Sequence, residues 1–164
     1  MIKPLVSIRA FWPVLLGLVA VDCTTKRLVV ESLPPHVPHP VLGDVVRFTL
    51  AYNPDAAMGL SLGQYSRVGF AVIATIVLGA LLIYRRRLVE GNDVRSLAIA
   101  MIAGGAIGNL IDRIRSARGV VDFIDVGIGD ARFYTFNVAD ASVFCGAVLL
   151  LLVIAAQERT GAKS

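Results

Sequence analysis

The chain has 164 residues, 56% of them hydrophobic and only 17% charged, with a mean hydropathy of +0.73. Soluble domains carry about 25% charged residues, so this arithmetic excludes an ordinary water-soluble domain, and so much apolar surface equally excludes intrinsic disorder. The net charge of +4 comes from arginines beside apolar segments, which points to membrane edges and away from nucleic acid. Two cysteines, Cys23 and Cys145, are too few for a disulfide framework and read as small buried hydrophobes in apolar runs. A single membrane domain over residues 1–164 is expected.

A bilayer core about 30 Å thick takes about 20 apolar residues as a helix. Four stretches qualify. Residues 11–30 form the first, interrupted by Asp22 and Lys26. Residues 68–84 carry no charge and are bracketed by Arg67 and Arg85. Residues 96–112 close on Asp112, and residues 138–156 open on Asp140. Lys3 and Arg9 before an apolar run ending at Cys23 also suit a cleaved leader, but a bulky, charged Asp22 fits poorly before such a cysteine and three more spans follow. The first stretch is therefore read as a retained span.

The 16 Lys and Arg divide evenly between the two sides of such a bundle. They are denser in the two tails and the 85–95 loop, with the Arg85-Arg86-Arg87 triplet the strongest cue, so both termini are expected in the cytoplasm. Residues 31–67 and 113–137 then lie outside. The first loop opens on a Pro/His tract, Pro34 to Pro40, that cannot be helical. It then alternates, Val46, Phe48, Leu50 and Tyr52 against Arg47, Thr49, Ala51 and Asn53, which predicts a half-buried strand. The second mixes Val120-Val121, Phe123-Ile124 and Phe133-Tyr134 with acids. Both loops are expected on the membrane surface, roofing the helix ends.

Carboxylates at membrane depth are costly and imply function. Polar residues gather in five clusters, all at the outside ends of spans or in the outside loops. Asp22 and Lys26, acid first at i, i+4, suit a self-neutralising pair or a positioning device. Asn53-Pro54-Asp55 suits a tight turn or a site. In Gly104 to Arg113, Gly104 and Gly108 allow close helix approach, while Asn109, Asp112 and Arg113 share one face above them. Asp122 stands among four bulky apolar neighbours, which disfavour its charged form and raise its pKa. Asn137 and Asp140 form a capping-box-like start to the last span, and the same placement aims Asp140 at the outside end.

The sequence has no Cys/His set with zinc spacing, no nucleophile elbow and no phosphate-cradling glycine loop. His36 and His39 share a proline loop and are expected to face solvent. Hydrolysis would have to run on carboxylates, with Asp122 and Asp140 the pair singled out.

These residues resemble the lipoprotein signal peptidases (type II signal peptidases), integral-membrane aspartyl proteases. The likeness spans nearly the whole chain: Asp22-Cys23-Thr24-Thr25-Lys26, the Asn53 motif, Gly-Asn-x-x-Asp-Arg at Gly108 to Arg113, Val-Val-Asp-Phe at 120–123 and Phe-Asn-x-Ala-Asp at 136–140. It implies an all-α integral-membrane fold of four transmembrane helices with a small extracytoplasmic β-sheet and a loop helix over the site. It implies a catalytic dyad of Asp122 and Asp140, a site lined by Asn53, Asn109, Arg113 and Asn137, and support from Asp22, Lys26 and Asp112. The implied substrate is a prolipoprotein with a diacylglyceryl cysteine, cut before that cysteine at the bacterial inner membrane. No metal, cofactor or nucleic acid is expected; membrane lipid is the other partner, and the chain is expected to be a monomer. The chain departs from the family at Pro54-Asp55, where a glycine is commoner, and at Met58, where an aromatic is.

Two close carboxylates cannot both ionise, so the pair holds one proton near neutrality. The helix start favours charge on Asp140, making it the expected base, with Asp122 the acid. A proton-coupled transporter would place acids near the midplane and on both sides; here they gather on one. A hydrolase dependent on Mg²⁺ or Mn²⁺ would also suit clustered carboxylates and would lose activity to a chelator.

Overall fold

The computed structural model describes residues 8–55, 60–88 and 93–161. Lys3, Met58 and Lys163 lie outside the described residues, as do the side chains of the Arg85–Arg87 triplet. Each apolar stretch forms a helix somewhat longer than the stretch itself: α1 Ile8–Ser32, α2 Ser66–Leu88, α3 Asp93–Arg115 and α4 Val138–Gly161. Among the described residues, three helices, α2 to α4, are long and apolar enough to cross a membrane; α1 has the length and carries Asp22, Lys26, Arg27 and Glu31. Between helices the chain builds β1 His39–Leu42, β2 Val46–Asn53, β3 Val120–Ile128 and β4 Ala131–Arg132, an antiparallel sheet in the order β1-β2-β3-β4. The molecule is thus helical with a real sheet rather than purely helical. Among the described residues outside the long helices, the only helical turn is the short Gly63–Tyr65, so no loop helix is described over the site.

Lipid is as apolar as leucine, so helices in a bilayer need close packing to associate. Glycine provides it here. A Cβ on Gly104 would lie 3.1 Å from the Leu15 carbonyl of α1. One on Gly105 would overlap the Ala139 carbonyl, and one on Gly146 would sit 2.8 Å from the Ala98 carbonyl, so α3 and α4 touch backbone to backbone. Phe11 and Leu15 of α1, Leu78 of α2 and Ile99, Ala100 and Ala103 of α3 fill the core. The remaining faces are apolar and outward, as with Phe144 and Leu151 on α4. Cys145 is exposed on that helix and Cys23 is half-buried beside the cleft between α1 and α3, so neither is the buried hydrophobe expected.

The strand expected from alternation is β2. Leu50 is buried with Val29, Val121 and Phe123, and the Phe48 and Phe123 rings meet edge-on at 5.6 Å. This cluster ties the sheet to α1. The opposite row of β2 carries Thr49, bonded to Asp125, and Asn53, bonded to Asp122. Gly119, just before β3, has φ +95°, and any side chain there would strike the Asn53 carbonyl; glycine alone adopts this backbone freely. Pro40 lies in the outermost strand β1, where a missing N–H costs no ladder bond. His36 is exposed and His39 half-buried at the start of β1.

Candidate active site

The site grows from the first turn of α4. Asn137 precedes the helix, and its Oδ1 accepts the Asp140 N–H at 2.8 Å while Asp140 Oδ2 accepts the Asn137 N–H at 3.2 Å. This is the reciprocal capping box, which satisfies two N–H groups that the helix leaves without partners. With Oδ1 committed, the Asn137 amide must turn its Nδ2 the other way, where it donates to Asp122 Oδ1 at 2.7 Å. Asn137 is fully buried and thereby holds both aspartates at once.

A second amide works the same way. Asn109 of α3 accepts at Oδ1 from Lys26 Nζ at 2.9 Å and from Asn137 Nδ2 at 3.1 Å. Its Nδ2 therefore faces Asp140 Oδ1, to which it donates at 2.7 Å. Lys26 is almost wholly buried and has three partners: Asn109, Asp22 Oδ2 at 2.8 Å and Asp112 Oδ2 at 2.9 Å. A buried ammonium is tolerable only when each N–H finds an acceptor. Asp22 Oδ1 in turn accepts the Ala139 N–H of α4 at 2.9 Å, and Asp112 Oδ2 accepts the Val121 N–H of β3 at 3.1 Å.

Asp122 is 3% exposed, with Asn53 Nδ2 donating to its Oδ2 at 3.1 Å. Burial, then the nearby Asp140 charge, push its pKa up to about 7, against the two amide donors that favour the ion. Arg113 closes one flank, donating to the Asn109 carbonyl at 3.3 Å and the Asp55 carbonyl at 3.0 Å, with Phe70 beneath at 6.0 Å. Asn53 Oδ1 accepts the Asp55 N–H at 3.0 Å, an Asx turn. Among the described residues His36 is the only non-glycine with positive φ, so Asp55 needs no left-handed backbone in its turn. The Ser66 and Ser61 hydroxyls hold its carboxyl below the ordinary value.

All nine residues singled out from the sequence thus lie in one connected network. The face shared by Asn109, Asp112 and Arg113 fans out: Asn109 reaches Asp140, Asp112 reaches Lys26, and Arg113 reaches the loop after β2. Two roles escaped sequence reasoning. Asp22 caps α4 from another helix, which its ready explanation as an i, i+4 partner concealed. Gly108 makes room for Asp22, since a Cβ there would lie 2.5 Å from Asp22 Oδ2; the small-residue step gave no sign that one glycine faces a carboxylate.

Helices fit for a bilayer and a buried carboxylate network at their sheet-side ends define a membrane protein with a built polar site. Residues 14–156 match the family model described as signal peptidase (SPase) II. A lipoprotein signal peptidase of Halothermothrix orenii is 39% identical, covering 90% of this chain and 97% of its own. One from Mycobacterium avium is 40% identical, covering 92% of this chain and 81% of its own. A solved bacterial membrane enzyme superposes with a TM-score of 0.82 at 30% identity, over 94% of this chain and 92% of its own. The chain belongs to the signal peptidase II family: it is a membrane-embedded hydrolase, a protease concerned with lipoprotein processing.

Proposed function

We propose that this chain is an aspartic endopeptidase that removes the signal peptide from diacylglyceryl-modified prolipoproteins, cutting before the lipidated cysteine with water activated by Asp122 and Asp140. The observation that carries this reading is the single buried residue, Asn137, bonded to both carboxylates. Asp140 receives two N–H donors at a helix start, where the dipole favours negative charge. It is the base, taking a proton from water as the water attacks the scissile carbonyl. Asp122, pushed up to about 7, is the acid that donates to the carbonyl oxygen and then to the leaving amine. Asn53, Asn109, Arg113 and Asn137 orient the substrate and the dyad, while Asp22, Lys26 and Asp112 fix Asn109 and the start of α4.

In this reading α1 is a fourth span. Its 25 residues reach about 37 Å at 1.5 Å per residue, beyond a core of about 30 Å. Asp22 and Lys26 turn inward, leaving Trp12, Leu16, Val21 and Leu28 outward. The sheet lies outside, both termini are cytoplasmic, and the protein works as a monomer in the bacterial inner membrane.

The test is cleavage of a purified lipidated precursor. Asp122→Asn and Asp140→Asn should each lower the rate by about 10²–10⁴-fold. Wild-type rates in either variant would end the dyad reading. Superimposable pH–rate curves for their residual activities would remove the assignment of base and acid.

A further inference from the structure

The ladder between β2 and β3 ends at Asn53 and Val120, and Pro54 brings no N–H of its own. Asp55 follows, beyond the sheet, and each of its polar groups is engaged. Its N–H donates to Asn53 Oδ1 at 3.0 Å, which leaves the Asn53 Nδ2 for Asp122 Oδ2 at 3.1 Å. Its carbonyl accepts from Arg113 Nη2 at 3.0 Å. Its carboxylate accepts the Ser61 hydroxyl at 2.7 Å. The first two bonds orient residues of the site, while the third reaches away from it, toward the start of α2. An Asx turn uses the side chain of its first residue, here Asn53, so the turn itself makes no demand on the Asp55 carboxylate.

Arg113 has little else to aim it. Its charge interacts with Asp140, Asp122 and Asp112, yet its buried Nε has no partner among the described residues. Its other hydrogen bond, at 3.3 Å, goes to the Asn109 carbonyl of its own helix. A guanidinium is a rigid fork, so moving the Asp55 carbonyl redirects the whole group. That carbonyl lies outside the ladder and needs an anchor from another side. Ser61 provides it. Its Oγ accepts the Gly63 N–H at 3.1 Å and lies 3.2 Å from Ser66 Oγ. Ser66, buried as the first residue of α2, accepts the Leu62 N–H at 2.7 Å and donates to the Gly63 carbonyl at 2.9 Å. The Asp55 carboxylate thus grips, by a charge-assisted bond, a turn already closed on the head of α2. We propose that Asp55 is a positioning residue of the peptidase: clipped to Ser61, it fixes the carbonyl that aims Arg113 beside the two aspartates. This inference rests on the reading of Asp122 and Asp140 as the dyad.

The test is cleavage of a lipidated precursor by the full-length protein, with kcat and KM taken separately. Asp55→Ala should lower kcat about three- to tenfold, the span of one hydrogen bond, with KM within about twofold of wild type. Asp55→Asn keeps an oxygen for the Ser61 hydroxyl and should restore kcat to within about twofold. Ser61→Ala should lose as much as Asp55→Ala, and the double variant no more than either, because both remove the same bond. On an Arg113→Lys background, Asp55→Ala should cost less than about twofold further, since the fork it aims is gone. A wild-type kcat in Asp55→Ala, or Asp55→Asn as slow as Asp55→Ala, would overturn the proposal. So would additive losses at Asp55 and Ser61, or an undiminished loss on the Arg113→Lys background. If Asp122→Asn and Asp140→Asn are inactive while Asp55→Ala is unimpaired, the dyad stands and this proposal alone fails. If either aspartate variant cleaves at the wild-type rate, the dyad fails and takes this proposal with it.

Discussion

Asp122 sits under opposing demands. Two amides stabilise its charge, but burial and Asp140 oppose it more strongly, and its pKa rises from 3.8 to about 7. Between those values the folded protein binds a proton that the unfolded chain has released, so stability falls as pH rises through that window. The melting temperature should therefore drop from pH 5 to pH 8, and Asp122→Asn should flatten this decline. Thermal unfolding at both pH values checks it, and parallel curves for variant and wild type would count against the assignment. This property was legible in the sequence, because Val120, Val121, Phe123 and Ile124 surround the acid. The capping of Asn137 was legible too, but the direction of the Asn109 amide was not, since it is set by Lys26, 83 residues away along the chain. Lys26→Met tests that relay. It should lower activity and destabilise the fold by about 3–5 kcal/mol, the cost of stranding a buried ionic partner. Cleavage at the wild-type rate would show that Asn109 keeps its direction unaided.

At the level of elements, hydropathy located all four helices within a few residues, and period-two alternation located β2. The strand β3 escaped because its first four residues are all buried, Asp122 included. A strand covered on both faces reads as an apolar run with no alternation. The strand β1 hid in a proline tract, where only an edge position is permitted. In α3 the glycines divide the labour: Gly104 faces α1, Gly105 faces α4, and Gly108 faces both. Gly108→Ala should cost about 1–3 kcal/mol by overpacking and push Asp22 away from the Ala139 N–H, lowering activity as well. Gly79→Ala on α2, which meets nothing within 4 Å, should be neutral or slightly stabilising. Matched denaturation and cleavage assays on the two variants decide it, and equal effects would remove the special role of Gly108.

For the whole molecule, the outward faces of the helices are broad and apolar, so a membrane-borne substrate would have to arrive sideways through lipid. Each buried CH₂ of its chains adds about 0.8 kcal/mol, and an unlipidated precursor should be cut far more slowly than a lipidated one. Equal rates would mean that peptide contacts alone select the substrate. One contact also ties together segments far apart in the chain. The Asp22 carboxylate grips the Ala139 amide across a separation of 117 residues, so α1 is not fully satisfied until α4 has packed beside it. Without α4 the buried Asp22 carboxylate would lose the amide that it accepts from, so α1 and α4 depend on each other to complete the polar network.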